Sequence, residues 1–117
     1  MRKIIVVFLV LFSVAYVGCK KSAETNVAPQ SNCDGIDSRF SAKVFPIIQN
    51  SCATNIGCHA SGSSNGPGAL TNYTQISNAS AAIRTAVVSG VMPRGSTLSE
   101  NEKSIISCWV SSGAPNN

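Results

Sequence analysis

Two cysteines and the single histidine of this chain lie within one short run. The run is Cys52-Ala53-Thr54-Asn55-Ile56-Gly57-Cys58-His59, in which the histidine directly follows the second thiol. Two thiols can add to the vinyl groups of a haem while an adjacent imidazole binds the iron, and the usual signature for this chemistry is C-x-x-C-H. The run therefore predicts a covalent haem site with an unusual C-x5-C-H spacing, in which Gly57 helps the longer loop to bend. One or two thioether bonds are compatible with this spacing.

A methionine is the candidate for the second axial position. Met1 and Met92 are the two methionines, and Met1 would be lost with an N-terminal signal. Met92 precedes Pro93 in a stretch flanked by glycines, and a thioether is a soft, uncharged iron ligand. We therefore predict His59 and Met92 as the two protein ligands of the iron. The alternatives are that His59 is an ordinary hydrogen-bonded histidine and that Met92 fills a gap in the core.

The N-terminus has the features of an export signal. Arg2 and Lys3 precede an apolar stretch at residues 4–17, which is short for a membrane span, and Gly18 precedes Cys19. Val17-Gly18-Cys19 resembles a bacterial lipobox. We therefore predict a signal peptide at residues 1–18 and lipidation of Cys19, which places the protein in the bacterial cell envelope, facing the periplasm or the exterior. The alternative is an ordinary secretory signal with a chance cysteine.

Composition divides the remaining chain into a tether and a domain. Residues 20–31 are rich in Ser, Ala, Thr, Asn, Pro and Gln and have no apolar period, so residues 19–32 are predicted to be a flexible, lipidated tether before a domain at residues 33–117. Without the signal, seven Lys and Arg remain against five Asp and Glu, and the formal charge falls from +4 to +2. No basic stripe remains beyond Lys20 and Lys21, so we predict that nucleic acid is not a partner.

Three helices are predicted in the domain. The first begins near residue 44 and ends near Asn50, with Pro46 in its first turn. The second is capped by Asn78, covers residues 79–89 and ends at Gly90. The third begins at a capping box formed by Ser99 and Glu102, and Gly113 and Pro115 end it; Ile105, Cys108, Trp109 and Ser112 share one of its faces.

Motifs spread along the domain resemble one known family. They are Phe45 to Asn50, Gly66 to Leu70, Val91 to Gly95, Leu98-Ser99, and Cys108 to Val110 ahead of Ser112 to Pro115. Together with Cys58-His59 they are similar to small class I cytochrome c domains of the bacterial lipoprotein type, over roughly residues 40 to 115.

The resemblance implies a fold and several residue roles. The fold would be all-α, with three to four helices around one haem c. Trp109 would pack where the terminal helices cross, or against the haem edge, or simply in the core. A backbone carbonyl near Pro67 would orient the His59 ring.

The five cysteines can each be given a role. Lipid at Cys19 and haem at Cys52 and Cys58 leave Cys33 and Cys108, which lie near the two ends of the domain in a compartment where disulfides persist. We predict a bridge between these two. In the rival arrangement Cys52 pairs with Cys33 or Cys108, and Cys58 alone is left for haem.

Other functions fit the sequence less well. A second histidine for a catalytic triad is missing, and the adjacent Cys58 and His59 cannot readily bind one tetrahedral zinc. We therefore predict a lipid-anchored, monomeric, mono-haem electron carrier, not an enzyme, whose partners are redox proteins of the cell envelope. The alternative is a haem-free lipoprotein, stabilised by disulfides, that acts as a structural or binding module.

Overall fold

The computed structural model describes residues 32–117. The predicted signal peptide, the lipidation site Cys19 and all of the tether except Asn32 lie outside this part. Residues 32–117 form helices joined by loops and contain no strand, so this part of the chain is all-α as predicted. None of the helices in this range is long and apolar enough to cross a bilayer.

The first helix lies where it was predicted, and a π-helical turn precedes it. A π-helical turn at Phe40–Val44 continues directly into helix α1 (Phe45–Ser51). The predicted start near residue 44, end near Asn50 and first-turn position of Pro46 are therefore confirmed for α1, whereas the π-helical turn before it was not predicted. Phe40, Val44 and Ile48 recur every four residues and are almost completely buried. The wide turn comes just before Pro46, which has no N–H to donate.

The second predicted helix is two helices. Helix α2 (Tyr73–Asn78) and helix α3 (Ser80–Val88) are separated at Ala79, whose backbone leaves the helical region. Asn78 is therefore the last residue of α2 and not a cap. The capping side chain is that of Asn72, which accepts a hydrogen bond of 3.0 Å from the N–H of Gln75. Gly90 follows the end of α3 with a φ of +74°, as its predicted role requires.

The last helix agrees closely with its prediction. Helix α4 (Glu100–Ser111) begins at the Ser99–Glu102 capping box, with both reciprocal hydrogen bonds present. Gly113 follows it with a φ of +90°. Its buried face comprises residues 105–109, whereas Ser112, predicted to share that face, is exposed.

The core lies where the two ends of the domain meet. Trp109 of α4 is fully buried; its ring lies 5.5 Å from that of Phe40, and its indole N–H donates to the carbonyl of Pro115. Phe40 also packs edge-on against Tyr73, with ring centroids 5.0 Å apart. Of the roles considered for Trp109, the structure shows packing at the crossing of the first and last helices.

A disulfide joins the same two ends. Cys33 is bonded to Cys108, across 75 positions of sequence, as predicted. Cys52 and Cys58 are free thiols. The rival arrangement, in which Cys52 forms a disulfide, is therefore contradicted.

Candidate haem site

The four predicted site residues line one cavity. Cys52 at the end of α1, the pair Cys58-His59 in the following loop, and Met92 in the loop between α3 and α4 all border a space of about 550 Å³. This volume is within the range typical of cofactor pockets. The cavity thus brings together side chains up to 40 positions apart in sequence.

Most of the cavity wall is apolar. Leu70, Ile83 and Val87 are nearly completely buried and line it together with small residues of α3. One charged side chain, that of Arg94, belongs to the lining among the residues described. This composition suits a largely apolar group that also carries an acidic substituent.

The imidazole of His59 is held in one tautomer. The ring is 8% exposed, and its Nδ1 lies 2.9 Å from the carbonyl oxygen of Gly68. Because a carbonyl can only accept, Nδ1 carries the proton and the lone pair is left on Nε2. This is the arrangement that metal-binding histidines generally adopt. The acceptor lies one residue beyond Pro67, within the region that the family resemblance indicated.

Backbone contacts fix the position of His59 as well. Its N–H donates to the carbonyl of Cys52 at 3.0 Å, and its own carbonyl accepts from Leu70 at 2.8 Å. The first contact ties both ends of the Cys52–Cys58 loop together. Gly66 lies behind the ring, where an added Cβ would be 3.7 Å from Cε1 of His59.

The two thiols differ in their surroundings. Cys52 is 7% exposed, and burial, with a smaller contribution from the Cys58 thiol, raises the pKa of Cys52 from 9.0 to about 11. Cys58 is half-buried. Cys58 is therefore the more accessible thiol.

Met92 lies in a well-anchored loop. Its side chain is half-buried, and its N–H donates to the carbonyl of Ala86 in α3 at 3.2 Å. The next residue, Pro93, is buried and also lines the cavity. A thioether in this position borders the same space as the imidazole of His59.

Two aspects of the site were not predicted. Arg94 was not singled out, although it follows directly after Met92-Pro93. The other is a set of contacts from the loop at residues 63–68, here called the 63–68 loop, to residues 57–59. Ser and Asn in a glycine-rich stretch indicate a turn, but the sequence does not say which residues the turn contacts.

The donor set does not resemble a metal cluster made of protein ligands alone. Within residues 32–117, no three His, Cys, Asp or Glu side chains converge in a way that could hold a metal ion. A haem site needs no such convergence, because the thiols bond to the edge of the macrocycle and only the axial ligands reach the iron.

Comparison with known proteins gave no match to a family model, to a curated protein or to a solved structure.

Proposed function

We propose that the protein is a lipid-anchored, mono-haem cytochrome of the class I type that transfers single electrons in the bacterial cell envelope. The observation that carries the proposal is the single cavity bordered by Cys52, Cys58, His59 and Met92. A site for one covalent haem of this type needs one or two thiols, an imidazole and a second ligand for the iron around one apolar space. The chain supplies each of these.

The residues would hold the haem in distinct ways. On attachment, the S–H of Cys58 would add across one vinyl C=C bond and that of Cys52 across the other. In each case sulfur would bond to one carbon and hydrogen to the other, so no oxidant or reductant is needed. His59 offers Nε2 to the iron because Nδ1 is bonded to Gly68. Met92 offers its sulfur, and Arg94 offers a positive charge to the propionates.

The haem, when bound, supplies the one-electron chemistry, and the protein sets the conditions for it. Buried Leu70, Ile83 and Val87 exclude water from the site, which lowers the local dielectric constant. A neutral imidazole and a thioether add no charge to the iron. A methionine ligand raises the reduction potential relative to a second histidine.

Covalent attachment tests the proposal directly. The full-length chain is produced with a cytochrome c maturation system, and haem staining after denaturing electrophoresis reports covalent haem. We expect a stained band for the wild type, a large loss in Cys58→Ser and a smaller loss in Cys52→Ser. Cys58 is the more accessible thiol and is directly coupled to His59, whereas Cys52 is buried.

The control is a known c-type cytochrome matured in the same cells. If that control stains and the wild-type chain carries no haem, the proposal is wrong. The haem-free lipoprotein considered above then becomes the better description.

The anchor is tested separately from the haem. We propose that Cys19 is lipidated, on the basis of the signal sequence alone. In cells fed an alkyne-tagged fatty acid, the wild type should carry the label and Cys19→Ser should not, while haem staining is unchanged in both. An unlabelled wild type, or equal labelling of Cys19→Ser, would show that Cys19 is not lipidated.

A further inference from the structure

We propose that Ser63 and Asn65 are positioning residues that fix Cys58 and His59 against the cavity. This inference rests on the proposed haem function. It names residues that hold Cys58 and His59 in place despite the five-residue spacer between Cys52 and Cys58. The five-residue spacer gives Cys58 more freedom than the short C-x-x-C-H signature would. Contacts from elsewhere in the chain are needed to remove that freedom.

Packing cannot hold the spacer. Its residues 54–57 are all exposed, and Ile56 keeps 66% of its surface accessible. Within the spacer the main restraint is Asn55, whose side chain and carbonyl accept from the N–H of Cys58 at 3.1 and 3.0 Å. This turn is local and leaves the carbonyls of Gly57 and Cys58 without a partner in the spacer itself.

The 63–68 loop supplies those partners. Asn65 donates from Nδ2 to the carbonyl of Gly57 at 2.9 Å, and the hydroxyl of Ser63 donates to the carbonyl of Cys58. The carbonyl of Gly68 accepts from the ring of His59. Three consecutive residues, 57 to 59, are thus each held by one residue of the same loop.

The 63–68 loop is itself ordered. The N–H of Asn65 donates to Oγ of Ser63 at 3.3 Å, and the N–H of Gly68 donates to the carbonyl of Asn65 at 2.9 Å. Gly66 and Gly68 have φ angles of +54° and +86°, which residues with a Cβ rarely adopt. The side chains of Ser63 and Asn65 and the carbonyl of Gly68 therefore contact residues 57–59 from one ordered loop.

The chain offers a matched control for the substitution of Ser63. Ser64 lies between the two positioning residues, is exposed, and makes no side-chain hydrogen bond within the described residues. Ser63→Ala and Ser64→Ala make the same chemical change at neighbouring positions, but only Ser63→Ala removes a hydroxyl that bonds to Cys58. Asn65→Asp keeps the shape of the side chain but replaces its donor with an oxygen. Ser63→Thr keeps the hydroxyl and should restore wild-type behaviour.

The first measurement uses the matured, haem-loaded full-length chain. The pyridine-haem spectrum, together with the mass added when iodoacetamide alkylates a thiol left free after unfolding, distinguishes one thioether from two. We expect Ser63→Ala and Asn65→Asp to raise the ratio of one-thioether to two-thioether product about fivefold, the effect of one hydrogen bond. Ser64→Ala and Ser63→Thr should match the wild type. An unchanged ratio in both Ser63→Ala and Asn65→Asp, or an equal change in Ser64→Ala, would overturn the proposal.

A second measurement does not depend on haem. The full-length chain without haem is alkylated with iodoacetamide at fixed pH, and the rates at Cys58 and Cys52 are followed by mass spectrometry. The ratio of the two rates should change about fivefold in Ser63→Ala and Asn65→Asp but not in Ser64→Ala. If the wild type never binds haem, the proposed function fails, and this ratio still decides whether Ser63 and Asn65 position Cys58.

Discussion

Both the sequence and the structure bear on the role of His59. Its neighbour Cys58 made it a candidate ligand, and its hydrogen bond to Gly68 leaves Nε2 free to bind a metal. The ring and both backbone groups of His59 are all bonded, so the residue is held from several directions at once. Such restraint is typical of a ligand and uncommon for a surface histidine.

Met92 can be tested at the same scale. Met92→Ala should leave covalent haem in place, because Cys52, Cys58 and His59 are unchanged. It should lower the reduction potential and abolish the weak near-infrared band of sulfur bound to ferric iron. Potentiometry and absorption spectroscopy provide the measurement, and Val91→Ala, one residue earlier on the cavity wall, is the control. If the native protein lacks the band and the variant has an unchanged potential, Met92 is a packing residue and not a ligand.

The raised pKa of Cys52 predicts that the free energy of unfolding of the haem-free protein depends on pH. Its pKa is 9.0 when unfolded and about 11 when folded, mainly because of burial. The folded state therefore favours the protonated thiol, so this contribution is fully present below pH 9 and is lost as the pH rises through 11. Urea unfolding at several pH values should show that the free energy of unfolding falls between pH 9 and 11 in the wild type and that this fall is absent in Cys52→Ala. The same fall in both proteins would show that other groups cause it.

Among the elements, helix α4 depends most on local signals. The carboxylate of Glu102 accepts from the N–H and the hydroxyl of Ser99 at 2.8 and 2.7 Å. The Ser99 hydroxyl in turn accepts from the N–H of Glu102. Because every partner lies within four residues, this helix start could be predicted without knowledge of the fold.

The capping box should contribute measurably to stability. Ser99→Ala removes the hydroxyl that caps α4 and should lower the free energy of unfolding by about 1 kcal/mol. Ser96→Ala, at an exposed position three residues earlier, should change it by less than about 0.5 kcal/mol. Chemical denaturation monitored by Trp109 fluorescence gives both values. Equal effects of the two substitutions would mean that the box is not stabilising.

The first half of the domain depends more on distant contacts. The N–H of Phe40 donates to the side chain of Asn117, at the opposite end of the sequence. The break between α2 and α3 lies at Ala79, a residue with no helix-breaking character of its own. These features explain why the π-helical turn before the first helix and the division of the second helix were not predicted.

At the scale of the whole molecule, one covalent bond holds the two ends of the domain together. The disulfide links Cys33, before the first helix, to Cys108 in the middle of α4. The aromatic contacts of Phe40 with Trp109 and Tyr73 lie between the same parts of the chain. The bridge restricts the unfolded chain and so favours the folded state.

Removal of the bridge should therefore be costly. The double variant Cys33→Ser, Cys108→Ala should lower the free energy of unfolding by about 4 kcal/mol in the chain-entropy model. Thermal and chemical unfolding measure the loss, and peptide mapping without reduction should join the two cysteine peptides in the wild type only. Free thiols at both positions in the wild type would contradict the bridge.

The sequence by itself determined those features whose cause is local or chemical. The start of α4 follows from Ser99 and Glu102, and the grouping of Cys58 with His59 follows from adjacency. The sequence predicted the Cys33–Cys108 bridge but left a rival pairing of Cys52 open, and the structure decided between them. Only the tertiary structure decided that Met92 borders the same cavity as His59, and that Ser63 and Asn65 hold the residues before it. The physical reason is that a cavity wall and a hydrogen bond between loops depend on how separate segments pack, which no local pattern records.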